Sequence, residues 1–509
     1  MKRFGIILLT AFFLVPISLS AQSIVYSVPK PEEDRDINFE ILGKMNGNYV
    51  IYKNIRWKHV IAVYDNDMRI LQSNRMKFVP DKTFNIDFIA YPDYFYVIYQ
   101  YQKNKTVYCM GAKMSSNGTE MEEPVLLDTT KLPILADNKI YSTVYSFDKQ
   151  KILIYKMIRK NQMLTIATKL FDNKLNMIDS SRMLTKFDER REIYDDLLVD
   201  NDGRIVFARE LKDYNRGSIE GLELISRKPG DINFKTITIN LWEKNIDEAV
   251  LKIDNLNKHI ILNTFYYTQK PENIKGIFTA VIDAVKFDTI KSAFNDLPDS
   301  IRGRLNSGGL YRSAFDNLMI RETIVKKDGG FLLTTEDYYL QSRGNPNNLW
   351  PRSNYLYNYP YSSTYDYYLS NPTYGYYRPM SSYNNWQGTR YYYQGILVLS
   401  FDKNLKPEWN TIIPKDQSDD GNDNFLSFST MNVGAEIHFL YNEENRNRQI
   451  TSNQGMFPGG QVKRYPTLKS REAGYEFMPR HAKQVGYREI IIPCIYQSKI
   501  AFAKVNFPE

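Results

Sequence analysis

Histidine and cysteine are scarce in this chain, with four of the first and two of the second in 509 residues. None of His59, His259, His438 and His481 has a second His or Cys at ligand spacing, which argues against a zinc site. The chain also has no Gly-x-Ser-x-Gly elbow, no P-loop and no Rossmann fingerprint, so three large enzyme classes find no support. Sustained helical periodicity is rare. Beyond residue 21 no apolar run is long enough to span a bilayer, so a soluble mature chain is expected. An excess of one charge is missing too. The net charge of +8 is spread among interspersed acidic and basic residues, which does not fit a nucleic-acid partner.

What is present begins with an export signal. Lys2 and Arg3 precede an apolar run from Phe4 to Leu19, and Ser18-Leu19-Ser20-Ala21 ends it in small residues. This is the pattern of a signal peptide over residues 1–21 cleaved after Ala21, and it implies a periplasmic or extracellular address. No Cys stands at the junction to carry a lipid. Residues 22–509 are expected to form one domain. Aromatic residues make up 14% of the chain and 39 of them are Tyr, a composition that leans towards strands.

Pairs of hairpins recur along the chain. In the first hairpin of each unit an Asn-, Asp- and Gly-rich turn joins two apolar runs, as at Asp200-Asn201-Asp202-Gly203 and Lys327-Asp328-Gly329-Gly330. The second hairpin carries a firmer signature. Tyr64-Asp65-Asn66-Asp67-Met68 is echoed by Phe171-Asp172-Asn173-Lys174-Leu175 and by Phe401-Asp402-Lys403-Asn404-Leu405. Second hairpins beginning near residues 60, 107, 165, 222, 276, 395 and 490 make seven units, the early ones about fifty residues apart. The expected fold is therefore all-β: a β-propeller of seven four-stranded blades, with six or eight as other ways of pairing the weaker repeats. Ser23–Val28 is expected to close the ring against the last blade. Cys109 and Cys494 then fall two blades apart and are expected to be buried free thiols.

In architecture and in its aromatic-Asp-Asn turn, the chain resembles the exported β-propeller proteins of bacterial envelopes. That resemblance implies a fold and an address but no catalytic residue, because neither the WD dipeptide nor the sialidase-type Asp box is present.

Three long segments are expected on one face: 291–317, an insertion at about 340–394 and another at about 442–488. The first insertion is rich in Tyr among Asn, Ser, Pro and Gly, a composition suited to adaptable contact surfaces. Its candidate partner-binding residues are Tyr357, Tyr359, Tyr361, Tyr367, Tyr368, Tyr376, Tyr377 and Trp386. The second is basic and adds Arg464 and Lys469. Asp419, Asp420 and Asp423 form an acidic run with Gly421 and Asn422 that suits Ca²⁺, although EF-hand spacing is absent. The function expected is non-enzymatic binding or scaffolding in the cell envelope, with a protein or glycan partner. The alternative is a carbohydrate-active enzyme or glycan-binding module, its carboxylates drawn from the funnel of the propeller.

Overall fold

The computed structural model describes residues 22–508 except 36, 84, 133–138, 196, 214–217, 268–273, 299–300, 302–316, 343–348, 351–375, 378–388, 421–422, 446–447 and 469–473. Antiparallel strands make up nearly all of its regular structure. Seven hydrogen-bonded sheets contain eight four-stranded units, because one ten-stranded sheet holds two of them joined by Asn245–Ile246. In chain order the units, or blades, cover residues 38–75, 85–131, 142–186, 192–239, 250–296, 318–413, 428–468 and 475–506. The first strands of neighbouring blades approach one another, so these strands form the inner wall of a ring.

Apolar packing closes that ring. A buried cluster lies at each junction between consecutive blades, from the first and second round to the seventh and eighth. Another joins the eighth blade to the first, where Phe39, Ile41 and Tyr64 meet Ile491, Ile500 and Phe502. Fully burying one such side chain stabilises the fold by about 1.5–3 kcal/mol. The eighth blade is completed by Ser23–Tyr26, which pairs with Lys499–Asn506 as its outermost strand, as the sequence led us to expect. Lys53, buried in the first blade, then donates to Glu33 Oε1 and to Tyr64 Oη, both at 2.6 Å. This pins the segment that links the closing strand to the first blade.

The recurring turn signature has a physical basis. Asp65, Asp172 and Asp402 each accept, through Oδ1, the backbone N–H groups two and four residues ahead. The apolar residue three places on takes left-handed backbone, with φ of 54° at Met68, 61° at Leu175 and 66° at Leu405. A residue other than Gly, Asn or Asp rarely adopts that conformation. Each is held there by insertion into the apolar seam with the preceding blade.

A second device is invisible as a motif. Near the end of the second strand, a buried polar side chain reaches to where the chain enters the next blade. Gln100 accepts from Tyr141 N at 2.9 Å and donates to Tyr141 O at 2.8 Å. Glu210 accepts from Ala249 N at 2.7 Å, Glu336 accepts from Ser427 Oγ at 2.7 Å, and Asn442 donates to Phe477 O at 2.8 Å. These side chains staple one blade to the next.

The all-β propeller stands, and the blade count is corrected from seven to eight. Residues 442–488 are not an insertion: they hold Arg448–Met456 and Val462–Leu468 of the seventh blade, then Tyr475–Phe477 and Lys483–Gly486 of the eighth. These strands escape an apolar pattern because Thr451, Ser452, Asn453 and Gln454 are buried polar residues. Cys109 and Cys494 are free and buried. No helix among the described residues is long and apolar enough to cross a membrane.

Asn442→Ala should remove the donor to Phe477 O and to Phe425 O, where the second bond is 3.0 Å. The expected loss is about 1–3 kcal/mol in denaturant unfolding. A loss within about 0.5 kcal/mol, typical of a surface change, would show that the staple carries no load.

Candidate functional site at the mouth of the ring

The connections between second and third strands lie on one face, and most of those described are tight. In the first, second, third and eighth blades they are two-residue turns with both residues at positive φ: Arg56-Trp57, Asn104-Lys105, Asn161-Gln162 and Gln497-Ser498. The sixth blade departs from this. Its second and third strands, Phe331–Ser342 and Thr389–Phe401, continue past a bulge between Glu336 and Tyr338 and stay paired to Ser342 and Thr389. Gln417–Asp420 pairs with the outer side of this extension, making a three-stranded ribbon. The Tyr-rich segment leaves and returns through it.

Aromatic packing holds the ribbon at its base. Met319, Tyr338, Tyr391, Tyr393 and Leu426 form a small buried cluster. Tyr339 and Tyr392 stack with ring centres 4.5 Å apart. Below them lies a buried ionic network. Glu336 is contacted by Lys415 at 2.7 Å and Arg321 at 2.7 Å. Burial would raise its carboxyl, but these two cations hold it below the usual range. Beside it, Asp423 is engaged by Arg480 and by Tyr393 Oη, the latter at 2.7 Å.

From the ribbon the chain reaches the opposite part of the wall. Tyr376–Tyr377 pairs with the innermost strand of the first blade, Tyr377 opposite Phe39 and Tyr376 opposite Glu40. That pairing places Tyr376–Tyr377 at the mouth of the channel. Carboxylates line the inner strands nearby: Glu40 on the first blade, Asp87 on the second and Glu322 on the sixth. Burial pushes the Glu40 carboxyl up to about 7, with Lys483 of the eighth blade opposing and Asp87 adding to the rise. Burial in turn lowers Lys483, and Glu40 opposes that. Asp87 Oδ2 lies 3.5 Å from Lys139 Nζ. A carboxyl that titrates near neutrality can give or take a proton. No motif marks Glu40, and only the ring brings it beside Asp87 and Lys483.

The candidate residues from the sequence fare unevenly. Tyr357, Tyr359, Tyr361, Tyr367, Tyr368, Trp386 and Lys469 lie outside the described residues. Tyr376 and Tyr377 are placed at the channel wall by their backbone. Arg464 sits on the outermost strand of the seventh blade and pairs with Glu443 at 2.6 Å, so it belongs to a regular sheet and not to a basic insertion. Asp419 and Asp420 stand on the ribbon, whereas Asp423 is committed to Arg480 and Tyr393. The three do not assemble into a cation site, and no other group of three His, Cys, Asp or Glu does so among the described residues.

No protein-family model matches this sequence, and no curated protein matches it. Among solved structures it is similar to the polysaccharide lyase Uly1, at 10% identity and a TM-score of 0.39, over 82% of this chain and 89% of that one. It is also similar to the β-propeller domain of the Trilobed protease from Pyrococcus furiosus, at 8% identity and a TM-score of 0.36, over 84% and 96% of the two chains. A third is prolyl oligopeptidase B from Galerina marginata, at 9% identity and a TM-score of 0.38, matched over 91% of this chain but only 55% of that one. These are likenesses of architecture and carry no activity across.

The raised Glu40 carboxyl has a thermodynamic signature. Its ordinary value is 4.5 and its folded value about 7, so the folded state favours the protonated form. That contribution is intact below the ordinary value and is lost as pH rises to about 7, a change on the order of 3 kcal/mol. Glu40→Gln should remove this slope and gain stability relative to wild type between pH 5 and pH 8, read from denaturant midpoints. Identical pH slopes in the two proteins would exclude the raised carboxyl.

Proposed function

We propose that this chain is an exported binding or scaffold protein of the bacterial envelope that engages a protein or glycan partner across the mouth of the ring. The observation that carries this reading is the pairing of Tyr376–Tyr377 with the first blade, by a segment that starts and ends on the sixth. Tyr376–Tyr377 belong to a segment rich in Tyr, Ser, Asn and Gly, and the wall they pair with is part of a rigid ring. Recognition surfaces commonly have this arrangement, with adaptable loops carried on a stiff scaffold. Export rests on the signal-peptide pattern of residues 1–21.

A carbohydrate-active enzyme is the second reading, and Glu40 is the observation that favours it. A buried carboxyl near neutrality, with Asp87 on the adjoining blade, has the chemistry of an acid–base pair at a funnel.

Deleting residues 345–390 should abolish capture of a partner from envelope extracts while the circular dichroism and cooperative unfolding of the ring persist. Undiminished capture would reject the binding reading. In a polysaccharide hydrolysis screen, turnover by wild type that Glu40→Gln reduces at least about 100-fold would replace it with the enzyme reading.

A further inference from the structure

A cleft of about 340 Å³ opens between the second and third blades. Strand register explains its shape. In the third blade Lys156 lies opposite Ala167 and Ala167 opposite Arg182, while Ile154 lies opposite Lys169 and Lys169 opposite Ser180. Alternation places all six side chains on one face of that sheet, towards the second blade. Ala167 has no side chain beyond Cβ, so a hollow forms at the centre of the patch. Ile154 completes its floor. Lys156, Lys169 and Arg182 surround it.

Asp128 faces these cations from the second blade. It takes Lys156 Nζ at 2.7 Å and Lys169 Nζ at 3.1 Å. Burial would raise its carboxyl, yet hydrogen bonds from the two lysines hold it below the ordinary value. Lys156 is further satisfied by Thr130 Oγ1 at 2.8 Å and Thr129 O at 3.1 Å. Its role is therefore structural. Arg182 differs: it is exposed at the rim, and no described residue hydrogen-bonds or ion-pairs with its guanidinium. Three cations thus face one carboxylate. Lys169 donates also to Leu127 O at 2.8 Å and stays part-exposed. A positive potential remains on the side where Arg182 and Lys169 meet the hydroxyl of Ser180.

We propose that this cleft binds a hydroxylated organic anion about the size of one sugar ring. The oxyanion, a carboxylate or a phosphate or sulfate ester, lies against Arg182 and Lys169. Guanidinium suits such a group because its planar fork donates to two oxygens at once. The hydroxyls of the ligand face Ser180. The volume falls within the range of small-molecule pockets and exceeds what a bare inorganic anion fills.

Calorimetric titration of the full chain with D-glucuronate, glucose 6-phosphate, glucose and inorganic phosphate tests this. At least one of the two sugar anions should bind saturably, and which one does so distinguishes a carboxylate from an ester. Glucose should not bind. Arg182→Ala, a change at an exposed position, should weaken the sugar anion at least about tenfold, as expected for loss of a charge-assisted contact. Ala167→Leu should fill the hollow and abolish binding, with the melting temperature confirming that the variant is folded; if it is not, Arg182→Ala decides alone. Three outcomes overturn the proposal: no binding of either sugar anion, glucose or inorganic phosphate binding as tightly as the sugar anions, or unchanged affinity in Arg182→Ala.

Discussion

The order of the ring rests on a recurring interaction found at four of its junctions, the buried polar side chain that ties the second strand of a blade to the chain entering the next. Gln100, Glu210, Glu336 and Asn442 fill this role. Apolar seams alone are non-directional and would let neighbouring blades slide. A buried hydrogen bond has a direction, and leaving it unmade costs the desolvation of both partners. Each of the four staples therefore fixes the height and angle at which the next blade begins. Lys53 does the related task at the seam of first and last blades, where its contacts with Glu33 and Tyr64 keep the ammonium above its ordinary value against the penalty of burial.

Closure creates the candidate site. Only when the first strands are gathered into a wall do Glu40, Asp87 and Lys483, from three different blades, come to share one electrostatic environment. On the same face the second and third strands of the first three blades and of the eighth are joined by two-residue turns. The ribbon of the sixth blade rises from that face, and Tyr376–Tyr377 crosses to the far wall.

Much of this was legible in the residues, and the gaps have physical causes. The aromatic-Asp-Asn signature could be read because an Asp that caps two backbone N–H groups admits few substitutes, as at Asp172 with Lys174 and Asn176. The second hairpin of the seventh blade was missed because Thr451, Ser452, Asn453 and Gln454 are buried without being apolar, so its third strand carries no hydrophobic alternation. The basic run around Arg464 looked like an insertion for the same reason. The two-residue turns were equally silent, since Arg56-Trp57 and Gln497-Ser498 adopt left-handed backbone without a Gly to announce it.

The sequence alone determined the fold class, the place of the long Tyr-rich segment within the repeat and the use of Ser23–Tyr26 to close the last sheet. The first two are matters of local pattern, set by strand alternation and turn chemistry within some fifty residues, and the third follows from a strand left over before the first repeat. Tertiary structure decided the number of blades, the landing of Tyr376–Tyr377 beside Glu40, the engagement of Asp423 by Arg480, and the cleft that Ala167 opens beneath Arg182. Each of these depends on burial or on charge gathered from distant parts of the chain. A carboxylate reads the same in sequence whether it faces water, a cation or another carboxylate, and only the closed ring settles which of these it meets.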